Sequence, residues 1–109
     1  MNRKFFLAIV FSVVAIPAFA AGGNVEAGKG KAETCKACHG EGGGKPIAPE
    51  YPILAGQHED YIVTALTQYK AGKRKNPIMG AQAQALKPED IRDLAAYFSS
   101  QSSDLKMKY

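Results

Sequence analysis

Two cysteines three positions apart, with a histidine directly after the second, stand at Cys35-Lys36-Ala37-Cys38-His39. On a helical turn Cys35 and Cys38 project to one side, near enough to form thioethers with the two vinyl groups of a single haem. The imidazole of His39 then falls where it can ligate the iron. A periplasmic disulfide, a redox dithiol and half of a zinc site are the competing explanations of the cysteine pair, and each leaves the adjacent histidine to chance. Zinc ordinarily asks for a second pair of Cys or His ligands at its own spacing, whereas the chain has 2 cysteines and 2 histidines in all, the other histidine being His58. A dithiol of thioredoxin type would open a helix after a strand, within alternating strands and helices, and no such alternation surrounds this pair.

An iron held by histidine on one side needs its opposite side accounted for, and that choice separates an electron carrier from an enzyme or a sensor. Met79, Met107 and His58 are the candidates. Met79 follows Asn76-Pro77-Ile78, where proline ends any helical continuation, and precedes Gly80, so its thioether is expected on a constrained loop entering the haem face. The flanks of Met79 are turn-like and polar, unlike those of a methionine that fills a core. Met107 falls in a polar tail expected to fray from Ser99 onward, and His58 reads as a solvent-facing residue at a helix start.

The elements that must position these groups read as helices. Asn24 can cap a first helix running from about Val25 into the Cys35 to His39 segment, with Glu26 in the first turn where a carboxylate suits the dipole. Its small face, Gly28, Ala32 and Cys35, suggests that another backbone or a ring presses closely there. Gly40-Glu41-Gly42-Gly43-Gly44-Lys45-Pro46, with Pro49 and Pro52 following, reads as an irregular loop about a dozen residues long that can wrap one haem edge. A second helix is expected over roughly His58 to Ala71, stopped by Gly72, with Tyr61, Ile62, Ala65, Leu66 and Tyr69 on one broad face. A short third helix is expected over Ala81 to Leu86. Pro88 suits the first position of a last helix, Glu89 and Asp90 suit its opening turn, and Ile91, Leu94, Ala95 and Phe98 follow the i, i+3, i+4, i+7 pattern. No segment outside the N-terminal apolar run shows strand alternation, so the class is all-α.

Residues 1–20 carry the pattern of an export signal: Arg3 and Lys4, an apolar run from Phe5 to Ile16, then Ala18-Phe19-Ala20 at the cleavage positions. The run is shorter than the roughly 20 residues a membrane span needs, which favours cleavage after Ala20 over a retained anchor. Export also takes the thiols to where haem is attached to them in bacteria, outside the cytoplasm. Residues 21–109 then form one domain, small enough that a covalent staple helps to hold it. Loss of Arg3 and Lys4 lowers the formal net charge from +4 to +2. Lysines dispersed among acids, with no alternation of aromatic and basic residues along a strand, exclude a nucleic-acid reader.

Over nearly the whole of residues 21–109 the chain resembles the class I c-type cytochromes, specifically the short bacterial periplasmic kind that also forms each half of some dihaem cytochromes. The likeness is carried in order by Cys35-Lys36-Ala37-Cys38-His39-Gly40, Tyr51-Pro52-Ile53-Leu54-Ala55-Gly56-Gln57, Asn76-Pro77-Ile78-Met79 and Asp90-Ile91-Arg92-Asp93-Leu94-Ala95-Ala96-Tyr97-Phe98. It implies the class I cytochrome c fold, about four helices wrapped around one covalently bound haem. It further implies that the carbonyl of Pro52 accepts a hydrogen bond from the free ring nitrogen of His39, that Leu54 packs on the macrocycle, and that Gln57, Arg74 and Asn76 lie near the propionates. Gly28 and Tyr97 would mark the crossing of the first and last helices. Lys87 departs from the small capping residue such proteins often place before the last helix. One haem motif occurs, so a dihaem protein would need two chains.

The function expected from these features is a periplasmic carrier of single electrons, not an enzyme, with one haem c held by Cys35 and Cys38 and its iron between His39 and Met79. Such coordination leaves no open site for oxygen or peroxide, and a neutral thioether sulfur raises the reduction potential relative to a second nitrogen ligand. Its partners are expected to be other redox proteins met in brief docking, with Lys70, Lys73, Arg74 and Lys75 either steering an acidic partner or serving as a solvated helix end. A haem enzyme or ligand sensor with a labile sixth ligand is the alternative.

Overall fold

The computed structural model describes residues 4–13 and 22–103. Arg3, the cleavage residues Ala18 to Ala20, and Met107 lie outside the described residues. Residues 4–13 carry no regular structure, and no helix among the described residues is long and apolar enough to cross a membrane.

Helix α1, Val25–Lys31, begins where Asn24 Oδ1 accepts the Ala27 amide at 2.8 Å, with Glu26 in its first turn. The helix does not run unbroken into the cysteine motif. It tightens into a 3₁₀ turn at Ala32–Thr34 and resumes as a short α2, Lys36–His39. Nothing in Ala32-Glu33-Thr34 forbids an α-helix, so the tightening belongs to tertiary packing: Ala32 is buried against the core. Gly40 then ends α2 at φ 82, and a Cβ there would fall 2.1 Å from Lys45 O. The glycine-rich stretch after it holds one 3₁₀ turn, Glu41–Gly43, and folds back so that Gly43 O accepts the Leu54 amide at 2.9 Å.

Helix α3, Glu59–Lys70, matches the expected second helix within a residue at each end. Its face turned to the core carries the buried Ile62, with Val63 and Leu66 beside it, while Tyr61 remains 46% exposed and falls outside that stripe. Helix α4, Pro77–Gln84, starts well before the expected Ala81 and therefore contains Met79. The expected loop at Met79 is thus a helical first turn. The reason is the cap: Asn76 Oδ1 accepts the amides of both Ile78 and Met79 at 3.0 Å, and Pro77 at the first position has a φ suited to starting a helix.

Helix α5, Pro88–Ser100, opens with the Lys87 amide donating to Asp90 Oδ2 at 2.8 Å, so the missing small cap residue is replaced by a carboxylate reaching back. The helix runs one residue past Ser99 before ending. Ile91, Asp93, Leu94, Ala95, Ala96, Tyr97 and Phe98 are all buried, more than one stripe, because α1 and α3 both pack on this helix. Leu94, 1% exposed, sits at the centre, and full burial of such a side chain stabilises by about 1.5–3 kcal/mol. Where α1 crosses α5, a Cβ on Gly28 would lie 2.0 Å from Asp93 O and 2.7 Å from Tyr97 Cβ. Only glycine permits that approach. Among the described residues every regular element is helical, with α4 resting chiefly on α3.

Candidate cofactor site

Cys35 precedes α2, and its carbonyl accepts the amides of Cys38 at 3.2 Å and His39 at 3.0 Å, which winds the motif into a single turn. The two thiols are free of each other and half-buried. Burial pushes the Cys35 thiol above its ordinary range, against a smaller opposing effect of a hydrogen bond with Thr34. A redox dithiol needs the reverse shift, because the thiolate is its nucleophile. A thioether carries no charge and suits these surroundings.

His39 is 5% exposed, and its Nδ1 donates to Pro52 O at 2.9 Å. A carbonyl oxygen can only accept, so Nδ1 carries a proton; the neutral ring in this tautomer has its lone pair on Nε2, the nitrogen left free for a metal. Tyr51 meets the imidazole edge-on, with ring centroids 6.1 Å apart. This aromatic brace went unread in the sequence, although it adjoins Pro52. The short α2 and the returning Tyr51-Pro52 strap therefore hold the ring from two directions.

Leu54, Val63, Leu66, Leu86 and the Cys35 side chain back onto the buried cluster of Ala32, Ile62, Leu94, Ala95, Tyr97 and Phe98 while staying partly exposed themselves. They come from four separate stretches of chain and, with Cys35 among them, form a partly exposed apolar surface over the buried cluster. Gln57 is engaged locally, its Oε1 accepting the His58 amide at 3.3 Å, and His58 is exposed at the start of α3. Asn76 is committed to capping α4. Arg74 is likewise occupied: Nη1 donates to Tyr61 Oη at 3.1 Å, and the guanidinium lies 5.0 Å from the Tyr69 ring centroid. The structure thus brings Cys35, Cys38, His39 and Pro52 together, packs Leu54 on the same buried cluster as Cys35, sets Asn76 as the cap of α4 and Met79 on its first turn, and directs Arg74 to two tyrosines. Met79 is half-buried.

A covalently held haem fits this set. The sulfurs lie on one turn and are not joined, the imidazole has the required tautomer, and the surface that includes Cys35 is apolar. Among the described residues no three or more His, Cys, Asp and Glu side chains gather where they could hold a metal ion.

The family model described as Cytochrome c matches residues 25–102. A cytochrome c-554(548) of Halomonas halodenitrificans is 45% identical over 82 residues, covering 72% of this chain and 98% of that protein. A cytochrome c4 of Stutzerimonas stutzeri is 43% identical over 94 residues, covering 78% of this chain but 44% of its own length. A crystal structure of reduced recombinant cytochrome c4 from Pseudomonas stutzeri matches with a TM-score of 0.71 at 41% identity, over 77% of this chain and 48% of that one. The chain therefore spans nearly all of the first relative and less than half of the cytochrome c4 proteins.

Proposed function

This chain belongs to the cytochrome c family, whose members carry covalently bound haem c, and from that premise we propose a single-haem electron carrier with His39 and Met79 as axial ligands. Bound haem supplies a one-electron couple between ferrous and ferric iron. Cys35 and Cys38 hold it as thioethers. His39 would hold the iron through Nε2, and Pro52 O fixes the tautomer and direction of the ring by accepting the hydrogen bond from Nδ1–H. Leu54, Leu66 and Leu86 exclude water, which disfavours the more positive oxidised form and raises the potential. Met79 would supply the second ligand, a neutral sulfur, which would close the iron to substrate and make the protein a carrier and not an enzyme. The Nδ1 to Pro52 contact is the single observation that carries this reading, because it gives the histidine of the motif a ligand's tautomer and orientation without help from the sequence comparison.

The protein works in the periplasm, to which the pattern of residues 1–20 directs it, and exchanges electrons with other redox proteins during brief docking. Visible spectra of the purified protein test the assignment. Thioether-linked haem is expected in the reduced form, and the band that methionine sulfur gives on ferric haem is expected in the oxidised form. Met79→Ala is expected to remove that band, lower the midpoint and admit carbon monoxide to the ferrous protein. A variant with unchanged absorption and midpoint would refute Met79 as ligand, and carbon monoxide binding by the native protein would favour a sensor or enzyme.

A further inference from the structure

We propose that Lys70 and Gln84 form a clasp that positions Met79, so that the grip on the sixth ligand is set at the far end of α4. The proposal rests on Met79 being that ligand. Helix α4 has little apolar hold of its own: Ala83, at 0% exposure, is its one buried residue, while Pro77, Ile78, Ala81, Gln82 and Gln84 are exposed. It rests on α3, and the two helices finish side by side, at Lys70 and at Gln84. Carbonyls in a last helical turn lack intrahelical partners and form the negative pole of the helix, so two such ends brought together repel and leave acceptors unmet.

Lys70 resolves both problems. Its ammonium Nζ donates to Leu86 O just beyond α4, and its own carbonyl accepts Gln84 Nε2 at 2.7 Å. The bonds are reciprocal, from α3 to the chain just beyond α4 and from α4 to α3, and they bring a cation to the C-terminal end of α4. Leu86 in turn packs on the buried cluster, so the clasp ties the end of α4 to the core as well as to α3. With its C-terminal end fixed here and its N-terminal end capped by Asn76, α4 holds Met79 at a set height and rotation. Lys70 and Gln84 are positioning residues, since neither has a role at the iron.

The test uses the holoprotein with Lys70→Met, which keeps the stem and removes the donor, Lys70→Arg, which keeps a donor, and Gln84→Ala at an exposed site that does not threaten folding. Amide hydrogen exchange and the temperature at which the ferric methionine band disappears are compared with the helical circular dichroism midpoint. Lys70→Met is expected to speed exchange of α4 amides about tenfold while α1 and α5 keep their protection. The band should be lost at a lower temperature than in wild type with the helical midpoint unmoved, Gln84→Ala should act in the same direction, and Lys70→Arg should restore most of the hold. Exchange and band unchanged in both Lys70→Met and Gln84→Ala would overturn the clasp, as would an equal loss of protection in α1, α4 and α5. A wild-type protein without the band refutes the Met79 reading, whereas a wild-type protein with the band whose variants retain it refutes the clasp alone.

Discussion

Lys31 Nζ lies 2.6 Å from Asp93 Oδ2 and so joins α1 to α5 at the point where Gly28 lets the two helices touch. The other carboxylate oxygen accepts the Asn24 amide at 2.8 Å, just ahead of α1, and Asp93 is buried. Truncation at Asp93 strands that amide and leaves the ammonium only its second partner, Asp90 Oδ1 at 2.8 Å. Asp93→Ala is therefore expected to destabilise the holoprotein by roughly 1–3 kcal/mol, read as a lower urea midpoint with an unchanged slope. A loss below a few tenths would mean that the apolar contacts of α5 hold the crossing unaided.

The same carboxylate carries a pH dependence of definite sign. The Asn24 amide first, and Lys31 second, hold Asp93 below its usual range, and Lys31 does the same to Asp90. A depressed folded-state pKa gives stability that is complete above the unfolded value, about 4, and is lost as pH falls through the folded value. Lys31 is shifted upward by Asp90 and Asp93, so its share stays constant until pH climbs past the ordinary lysine range. Asp93→Asn should thus flatten the acid limb of a urea-midpoint profile between about pH 5 and pH 2 relative to wild type, and leave pH 6 to 9 parallel. Parallel profiles in the acid range would show that Asp93 is not depressed.

Glycines in α1 should respond in opposite directions. A Cβ on Gly28 meets Asp93 O at 2.0 Å and Asp93 C at 2.6 Å, both backbone atoms that cannot turn aside, so Gly28→Ala must push α1 off α5. The expected cost is about 3 kcal/mol or more, at the upper end of overpacking, measured by chemical denaturation. Gly30 has nothing within 4 Å of its built Cβ. Gly30→Ala should stabilise by about 0.5–1 kcal/mol through helix propensity alone. Equal effects at the two positions would contradict the close crossing.

What the chain disclosed in advance follows from how far each signal reaches. The cysteine motif, the core stripe of α5 and the stop after α3 rest on spacings within one or two turns, and they stand in the structure where they were read. The start of α4 was misplaced because Pro77 has two meanings: it breaks a helix that precedes it and opens one that follows, and Asn76 before it selects the second. The break after α1 has no local cause, since Ala32 tightens the chain only once it is buried against a helix far along the sequence. Lys31 and Asp93 are 62 positions apart, and Lys70 and Leu86 are 16. No periodicity links such pairs; they appear only when helices cross. Arg74 is a different case: the family resemblance implies a place near the propionates, and in the structure its guanidinium lies over Tyr61 and Tyr69, which stand one turn to either side of Ala65 on α3, a contact between α3 and the residues after it that the resemblance does not carry.

The basic cluster before α4 divides in the same way. Lys70 donates to Leu86 O and Arg74 is held by Tyr61 and Tyr69, which leaves Lys73 and Lys75, both exposed, as the pair free to meet a partner's charge. Long-range steering acts on encounter rates and weakens as salt screens it within about 10 Å at 0.1 M. Oxidation of the reduced protein by hexacyanoferrate(III), a trianion, should therefore slow as ionic strength rises. The double reversal Lys73→Glu with Lys75→Glu should be slower at low salt by about an order of magnitude and should flatten or invert that dependence, with the visible spectrum unaltered. Arg74→Gln should instead lower stability through loss of its stacking on Tyr69, with a smaller change in salt slope. If the double reversal keeps the wild-type slope, the electron leaves by a face remote from these lysines and the cluster is only the solvated end of α3.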